Sequence, residues 1–227
     1  WVNFQNYKSI ASNIKNYKEE EFQFDFLKMI FNDCLGYKIS DVGQESRNLF
    51  TEVKNVSDSG KADGAIKKDN KVIAVIELKS IKTKNFKTIQ DQAFLYKVSH
   101  GDECKYVVTS NFQKLRFYIN STSEYEEFDL FNLTKEEYRL LHLCLSKDNV
   151  FNGVPEKLKK ESVLKEEDIS KKLYKDYSNF RKELFKSLVD SNPEHDKLII
   201  FNKTQKLLDR FLFIFFAEDR GLLPSNE

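Results

Sequence analysis

The stretch Lys61 to Lys79, KADGAIKKDNKVIAVIELK, decides how this sequence folds and where its chemistry lies. It reads as a short strand from Asp63 to Ile66, a turn at Lys68-Asp69-Asn70 and a second strand from Val72 to Lys79, a hairpin with charged turn residues. Side chains alternate across a strand, so Ile73, Val75, Glu77 and Lys79 are expected on one face and Ala74, Ile76 and Leu78 on the other. Both faces are apolar until the end, the pattern of a central strand covered on both sides. The strand closes on an acid and a base, and Asp63 enters from its neighbour, so two carboxylates and an ammonium are expected to converge.

Paired carboxylates are hard oxygen ligands suited to Mg²⁺, with Mn²⁺ as a substitute, both of which complete their coordination with water and substrate phosphate. Such a metal lowers the pKa of water and neutralises a phosphoryl oxygen. Asp63 and Glu77 are therefore candidate metal ligands, and Lys79 is a candidate to orient the attacking water or stabilise pentavalent phosphorus. The alternative is a salt-bridged strand end, since charged strand ends are common and few are catalytic.

Upstream, Glu19 to Leu35 reads as a helix with Phe22, Phe26, Ile30 and Cys34 on one stripe, widened by Leu27 and Phe31 and ended by Gly36. Glu19, at its start, is either a further acid for the Asp63/Glu77 cluster or a solvated first-turn residue that favours the helix dipole. Trp1 to Lys18 reads as one helix or two short ones, and an edge strand is expected around Leu49 to Val53.

Downstream, Lys79, Lys82, Lys84 and Lys87 form a cationic segment, either a phosphate-binding edge or a solvated loop. Thr88 to Val98 is a helix candidate that places Gln92 and Tyr96 on one face, as a functional pair or as a packed tyrosine with an amide neighbour. Strands follow at Cys104 to Ser110 and Lys114 to Ile119. Between them Ser110 and Asn111 either contact phosphates or cap a turn. Strand, helix and strand in this order form a βαβ crossover. The fold class expected is thus α/β (α+β), a mixed central sheet flanked by helices.

Past Asn120 the composition shifts. Thr134 and Glu137 form a capping box that opens a helix to about Leu145. Asn152, Gly153 and Pro155 mark a break, and the rest reads as an all-helical bundle. Its last helix, Leu198 to Arg220, is closed by Gly221 and Pro224, and Leu207, Leu208, Phe211, Leu212, Phe215 and Phe216 form its buried face. Two domains are expected, 1–135 and 136–227. The chain opens on Trp1 and stops shortly after this helix, as a segment of a longer polypeptide would.

The composition bounds the rest. Thirty-seven Lys and Arg against thirty-six Asp and Glu leave a net charge of +1, so any nucleic-acid surface must be local. Cys34, Cys104 and Cys144 are odd in number and widely spaced, which indicates neither a disulfide framework nor a zinc site and fits a reducing cytoplasm. The longest apolar run, Phe211 to Ala217, is too short to span a bilayer, so no membrane partner is expected. His100, His142 and His195 are isolated, which leaves the carboxylate and lysine cluster as the chemistry of the chain.

Glu19 on an initial helix, Asp63 in A-D-G, Glu77-Leu78-Lys79 at the end of an apolar strand and then Gln92 with Tyr96 resemble the PD-(D/E)XK nuclease superfamily over roughly the first 120 residues. Ala62 stands where that pattern often has proline. LGY at Leu35 to Tyr37, KADGAI, VIELK, QAFLY, VVTSNF, LRFYI and KTQKLLDRFLFIFFAEDRGLLP further resemble the amino-terminal nuclease and helical connector of type IIG restriction-modification enzymes of bacteria and archaea. The resemblance implies a restriction-endonuclease-like fold and Mg²⁺-dependent hydrolysis of double-stranded DNA, with a transient dimer for double-strand cleavage. It implies Asp63 and Glu77 as metal ligands, Lys79 as the catalytic lysine and Glu19 as the helix-borne acid. Gln92, Tyr96, Lys82, Lys84, Ser110 and Asn111 are then expected near DNA. It also implies methyltransferase and target-recognition domains linked in a longer protein. The S-adenosylmethionine loop and N-P-P-Y type motif of such a methyltransferase are absent from this sequence. The rival readings are a repair or recombination nuclease of the same fold and an inactive DNA-binding or scaffold module.

Overall fold

A computed structural model describes residues 1–39, 47–54 and 60–222. Six strands form one mixed sheet in chain order: β1 (Leu49–Lys54), β2 (Lys61–Lys68), β3 (Lys71–Leu78), β4 (Tyr106–Ser110), β5 (Lys114–Ile119) and β6 (Tyr125–Asp129). Only β3 and β4 pair in parallel, joined by helix α4 (Phe86–Ser99) as the βαβ reading requires. The β2–β3 turn holds two residues, Asp69 and Asn70, with φ of +49° and +63°. Asp and Asn tolerate that left-handed backbone, and two such residues in sequence match the twist of a hairpin.

Two apolar clusters cover the faces of β3. Ala74, Ile76 and Leu78 join the larger one, with Phe4 and Tyr7 of α1 (Val2–Ser9), Ile14 of α2 (Ala11–Ile14) and Phe22 and Phe26 of α3 (Glu19–Phe26). The same cluster takes in Tyr138, Leu141 and Leu145 of α5 (Lys135–Leu145) and Val150 of α6 (Lys147–Phe151). Val75 joins the smaller cluster, with Ala93 of α4, Val107 and Tyr118. Ile73 departs from the expected alternation and packs with the larger cluster. The ladder passes from Ile66–Ala74 to Lys67–Val72, so Ile73 is the extra residue of a bulge, which reverses side-chain facing at that point.

Helix α3 continues as a π-helical segment, Leu27–Cys34, before Gly36 at φ +82° turns the chain. The wider π turn bonds Leu35 N–H to Ile30 O at 3.1 Å. Leu35 is thus buried below Ile30, and Cys34, expected on the buried stripe, is only half-buried. Thr134 and Glu137 form the expected capping box of α5. Strand β6 was not anticipated: only Phe128 of its five residues is buried, and Glu127 ties it to Lys114 and Arg116 of β5, both at 2.6 Å.

Residues Trp1–Lys159 form one compact unit and Lys160–Glu227 a second. Helix α7 (Val154–Ser191) begins in the first. Within the second unit α7 and α8 (Lys197–Asp219) form an antiparallel pair, with Phe185 edge-on to Phe201 and Tyr177 donating to Asp209 at 3.1 Å. This is a helical pair rather than the expected bundle. In α8 the buried residues are Ile200, Thr204, Leu208 and Ala217, while Leu207, Phe211, Leu212, Phe215 and Phe216, expected on the buried face, are exposed. The helix is apolar nearly all round, so its sequence does not single out one inner face. Gly221 ends it at φ +65°, and Pro224 lies outside the described residues. Among the described residues no helix is long and apolar enough to cross a membrane.

Candidate active site

The β2–β3 ladder runs up to the Gly64–Ile76 pair, and beyond it the strands part. Asp63 occupies the opening, and its Oδ2 accepts the N–H of Leu78 at 2.7 Å in place of a backbone carbonyl. On the other side of β3 the next residue is held by β4, where Lys79 N–H donates to Ser110 O at 2.9 Å. The end of the central strand is therefore fixed from both neighbours, with Glu77 inside it and Lys79 one residue past it.

Helix α3 brings a second pair of polar groups. Glu19 and Gln23 stand one turn apart and so share a helix face. Gln23 Nε2 donates to Asp63 Oδ1 at 3.1 Å, and Glu19 Oε2 accepts Ser80 N–H at 2.8 Å. Lys79 Nζ lies 2.7 Å from Glu77 Oε1 and 3.5 Å from Glu19 Oε1, and also donates to Leu78 O at 3.1 Å. The structure thus brings Glu19, Asp63, Glu77 and Lys79 together. Gln23 was not among the expected residues, although its spacing from Glu19 was visible in the sequence.

Three carboxylates surround one ammonium, and their environments differ. Glu77 is only 1% exposed, whereas Lys79 and Glu19 are each more than a quarter exposed. Burial first, and the Asp63 carboxylate second, raise the Glu77 pKa to about 7, against the opposing pull of Lys79. Burial also raises Asp63, partly offset by the Leu78 N–H and Lys79. Burial lowers the tendency of Lys79 to stay charged, but the hydrogen bond and charge of Glu77, with Asp63 and Glu19, outweigh it and leave its pKa raised. Oε2 of Glu77 is buried with no hydrogen-bond partner among the described residues. A buried, unpaired carboxylate oxygen is costly unless charge or a donor meets it.

Among the described residues no group of three or more His, Cys, Asp or Glu side chains is arranged to hold a metal ion. Two carboxylates are enough for Mg²⁺, which is commonly held by one or two together with water and phosphate. The unpaired Oε2 of Glu77 beside Asp63 fits that requirement.

The remaining expected residues divide. Lys82 and Lys84 are exposed on the loop after Lys79 and have no ion-pair partner among the described residues. That loop is pinned by Asn111, whose Nδ2 donates to Thr83 O at 2.9 Å. Gln92 Nε2 donates to the Tyr96 hydroxyl at 2.8 Å, the helical pairing that the spacing indicated, and neither is hydrogen-bonded to Asp63, Glu77 or Lys79 among the described residues. Ser110 and Asn111, expected near DNA, are buried and committed to the β4–β5 turn. Ser110 Oγ donates to Lys114 O at 2.8 Å and accepts Phe112 N–H at 3.0 Å, while Asn111 Oδ1 accepts the N–H groups of Gln113 and Lys114. This turn holds Phe112 at φ +70°, an uncommon backbone for a bulky residue, while its ring packs 5.2 Å from Phe22 and 5.3 Å from Phe26. The turn and α3 are thereby locked together beside the site.

Comparison with protein-family models, curated proteins and solved structures finds no match for this chain.

Proposed function

We propose that residues 1–135 are a Mg²⁺-dependent nuclease domain of the PD-(D/E)XK type that hydrolyses phosphodiester bonds of double-stranded DNA. Residues 136–227 are its helical connector, as in type IIG restriction-modification enzymes. The observation that carries this reading is the buried Glu77 carboxylate, with one oxygen 2.7 Å from Lys79 and the other unpaired, beside Asp63. A salt-bridged strand end would satisfy its acids, and this one leaves an oxygen unsatisfied at a site with surplus negative charge.

Asp63 and Glu77 are the residues that would hold Mg²⁺, which when bound neutralises charge on the scissile phosphate and lowers the pKa of water. Leu78 N–H and Gln23 fix both oxygens of Asp63, so its carboxylate enters the reaction already oriented. Lys79 keeps its proton, because its pKa is raised, and so acts as a cation and hydrogen-bond donor rather than as a base. Glu19 and Glu77 hold that ammonium between them, aimed at the developing charge of in-line attack by water on phosphorus. Water adds across the bond: a new P–O bond forms as the ester P–O bond breaks, and the leaving oxygen takes up a proton. Lys82 and Lys84, on the loop that follows, present charge to the DNA backbone. The exposed apolar residues of α8 support the connector reading, since a linked domain would bury them.

The test is cleavage of a labelled DNA duplex by the chain with Mg²⁺, compared with Asp63→Ala. Cleavage lost in the variant is expected; equal cleavage by both overturns the assignment of Asp63.

A further inference from the structure

Two buried polar atoms on this face of the sheet are without a hydrogen-bond partner among the described residues: Glu77 Oε2 and Thr109 Oγ1. Their residues face each other, because Glu77 of β3 and Thr109 of β4 are partners in the parallel register. Thr109 is fully buried and Glu77 is 1% exposed, so bulk water cannot satisfy either group. One is a hydroxyl with a proton to give, and the other is a carboxylate oxygen with lone pairs to fill. Two orphaned, complementary atoms on paired residues are more economically explained by each other than separately.

We infer that Thr109 is a positioning residue for Glu77: its hydroxyl donates to Oε2, directly or through one bridging water, and fixes the plane of the carboxylate. This inference rests on the nuclease reading above. Glu77 is then held on both oxygens, by Lys79 on Oε1 and by Thr109 on Oε2. A carboxylate oxygen has a second lone pair, so the hydroxyl leaves Oε2 able to ligate a cation. The competing acceptor for the Thr109 proton is the Tyr118 oxygen, which neighbours it from β5 and itself donates to Gln90 Oε1 at a long 3.4 Å. A carboxylate wins that competition, because hydrogen bonds to an ionised acceptor are roughly twice as strong as neutral ones. Residues that orient a ligating carboxylate affect metal affinity, on the order of 10- to 100-fold when removed.

The experiment is calorimetric titration of Mn²⁺ into the native chain and into Thr109→Val, Thr109→Ala, Thr109→Ser, Tyr118→Phe and Asp63→Ala, with circular dichroism to confirm folding. Valine keeps the shape of threonine without the hydroxyl. Alanine removes the hydroxyl without adding bulk and covers a valine variant that does not fold. The expected result is Mn²⁺ affinity about tenfold weaker in the valine and alanine variants. Serine and the Tyr118 variant should bind within about twofold of native by the same reasoning. Native affinity in folded Thr109→Ala, with binding lost in Asp63→Ala, overturns the Thr109 inference and leaves the site reading standing. A loss in Tyr118→Phe equal to that in Thr109→Ala assigns the hydroxyl to Tyr118 and also overturns it. Absence of Mn²⁺ binding in the native chain overturns the nuclease reading and this inference with it.

Discussion

Replacing Glu77 by glutamine should stabilise the chain, and more so as pH rises. The Glu77 pKa goes from 4.5 to about 7 on folding, by burial and the nearby Asp63 carboxylate. Between those values the folded state holds a proton that the unfolded chain has released. Unfolding free energy follows the difference in bound protons, so the stability linked to this proton is fully present below 4.5, declines above it and is lost as pH passes about 7. Glutamine stays neutral and stands in for the protonated acid at every pH. Integrating the two titrations from about pH 5 to about pH 8 gives roughly 2 to 3 kcal/mol, by which Glu77→Gln should gain on the native chain across that interval. The assay is urea unfolding of both proteins in chelator, followed by the fluorescence of Trp1, the single tryptophan, which stacks on Phe4 in the first unit. A stability difference that does not change with pH refutes the reasoning, because the carboxyl would then titrate alike in both states.

Two other changes test the framework around the site. Phe26 is fully buried and packs against Tyr7, Phe31 and Phe112, so Phe26→Ala should cost about 3 to 5 kcal/mol in the same urea assay, and a loss below about 1 kcal/mol contradicts the packing described. Asp196 Oδ1 caps α8 by accepting Leu198 N–H at 2.7 Å and Ile199 N–H at 3.3 Å. Asp196→Ala should cost about 1 kcal/mol and speed hydrogen exchange of those two amides, and unchanged exchange rules out the cap.

The hairpin and its chemistry were readable because strand alternation and turn chemistry are local. Asp69 and Asn70 fill a turn that needs two left-handed residues, and the parity of Glu77 and Lys79 brings their charges together. What the sequence hid is set by other segments. The bulge at Ile73 exists only in the register against β2, and the i to i+5 bond at Leu35 has no periodic signature. Strand β6 is held mainly by charges paired with β5, so its own residues carry little apolar pattern. Gln23 and Thr109 enter the site through helix–sheet packing and strand pairing, respectively, and are ordinary residues until those contacts exist. Ser110 and Asn111 showed the converse: their polar groups suggested a ligand, and the β4–β5 turn uses them.

The central claim is that Asp63, Glu77 and Lys79 form a metal-dependent hydrolytic site, and nicking of supercoiled plasmid DNA tests it most directly. The native chain and its Lys79→Ala variant are compared with Mg²⁺, with Mn²⁺ and with chelator. Conversion of supercoiled to open-circular or linear DNA by the native chain in either metal, abolished by chelator and by the variant, is the predicted result. Cutting that survives in Lys79→Ala or in chelator contradicts the account.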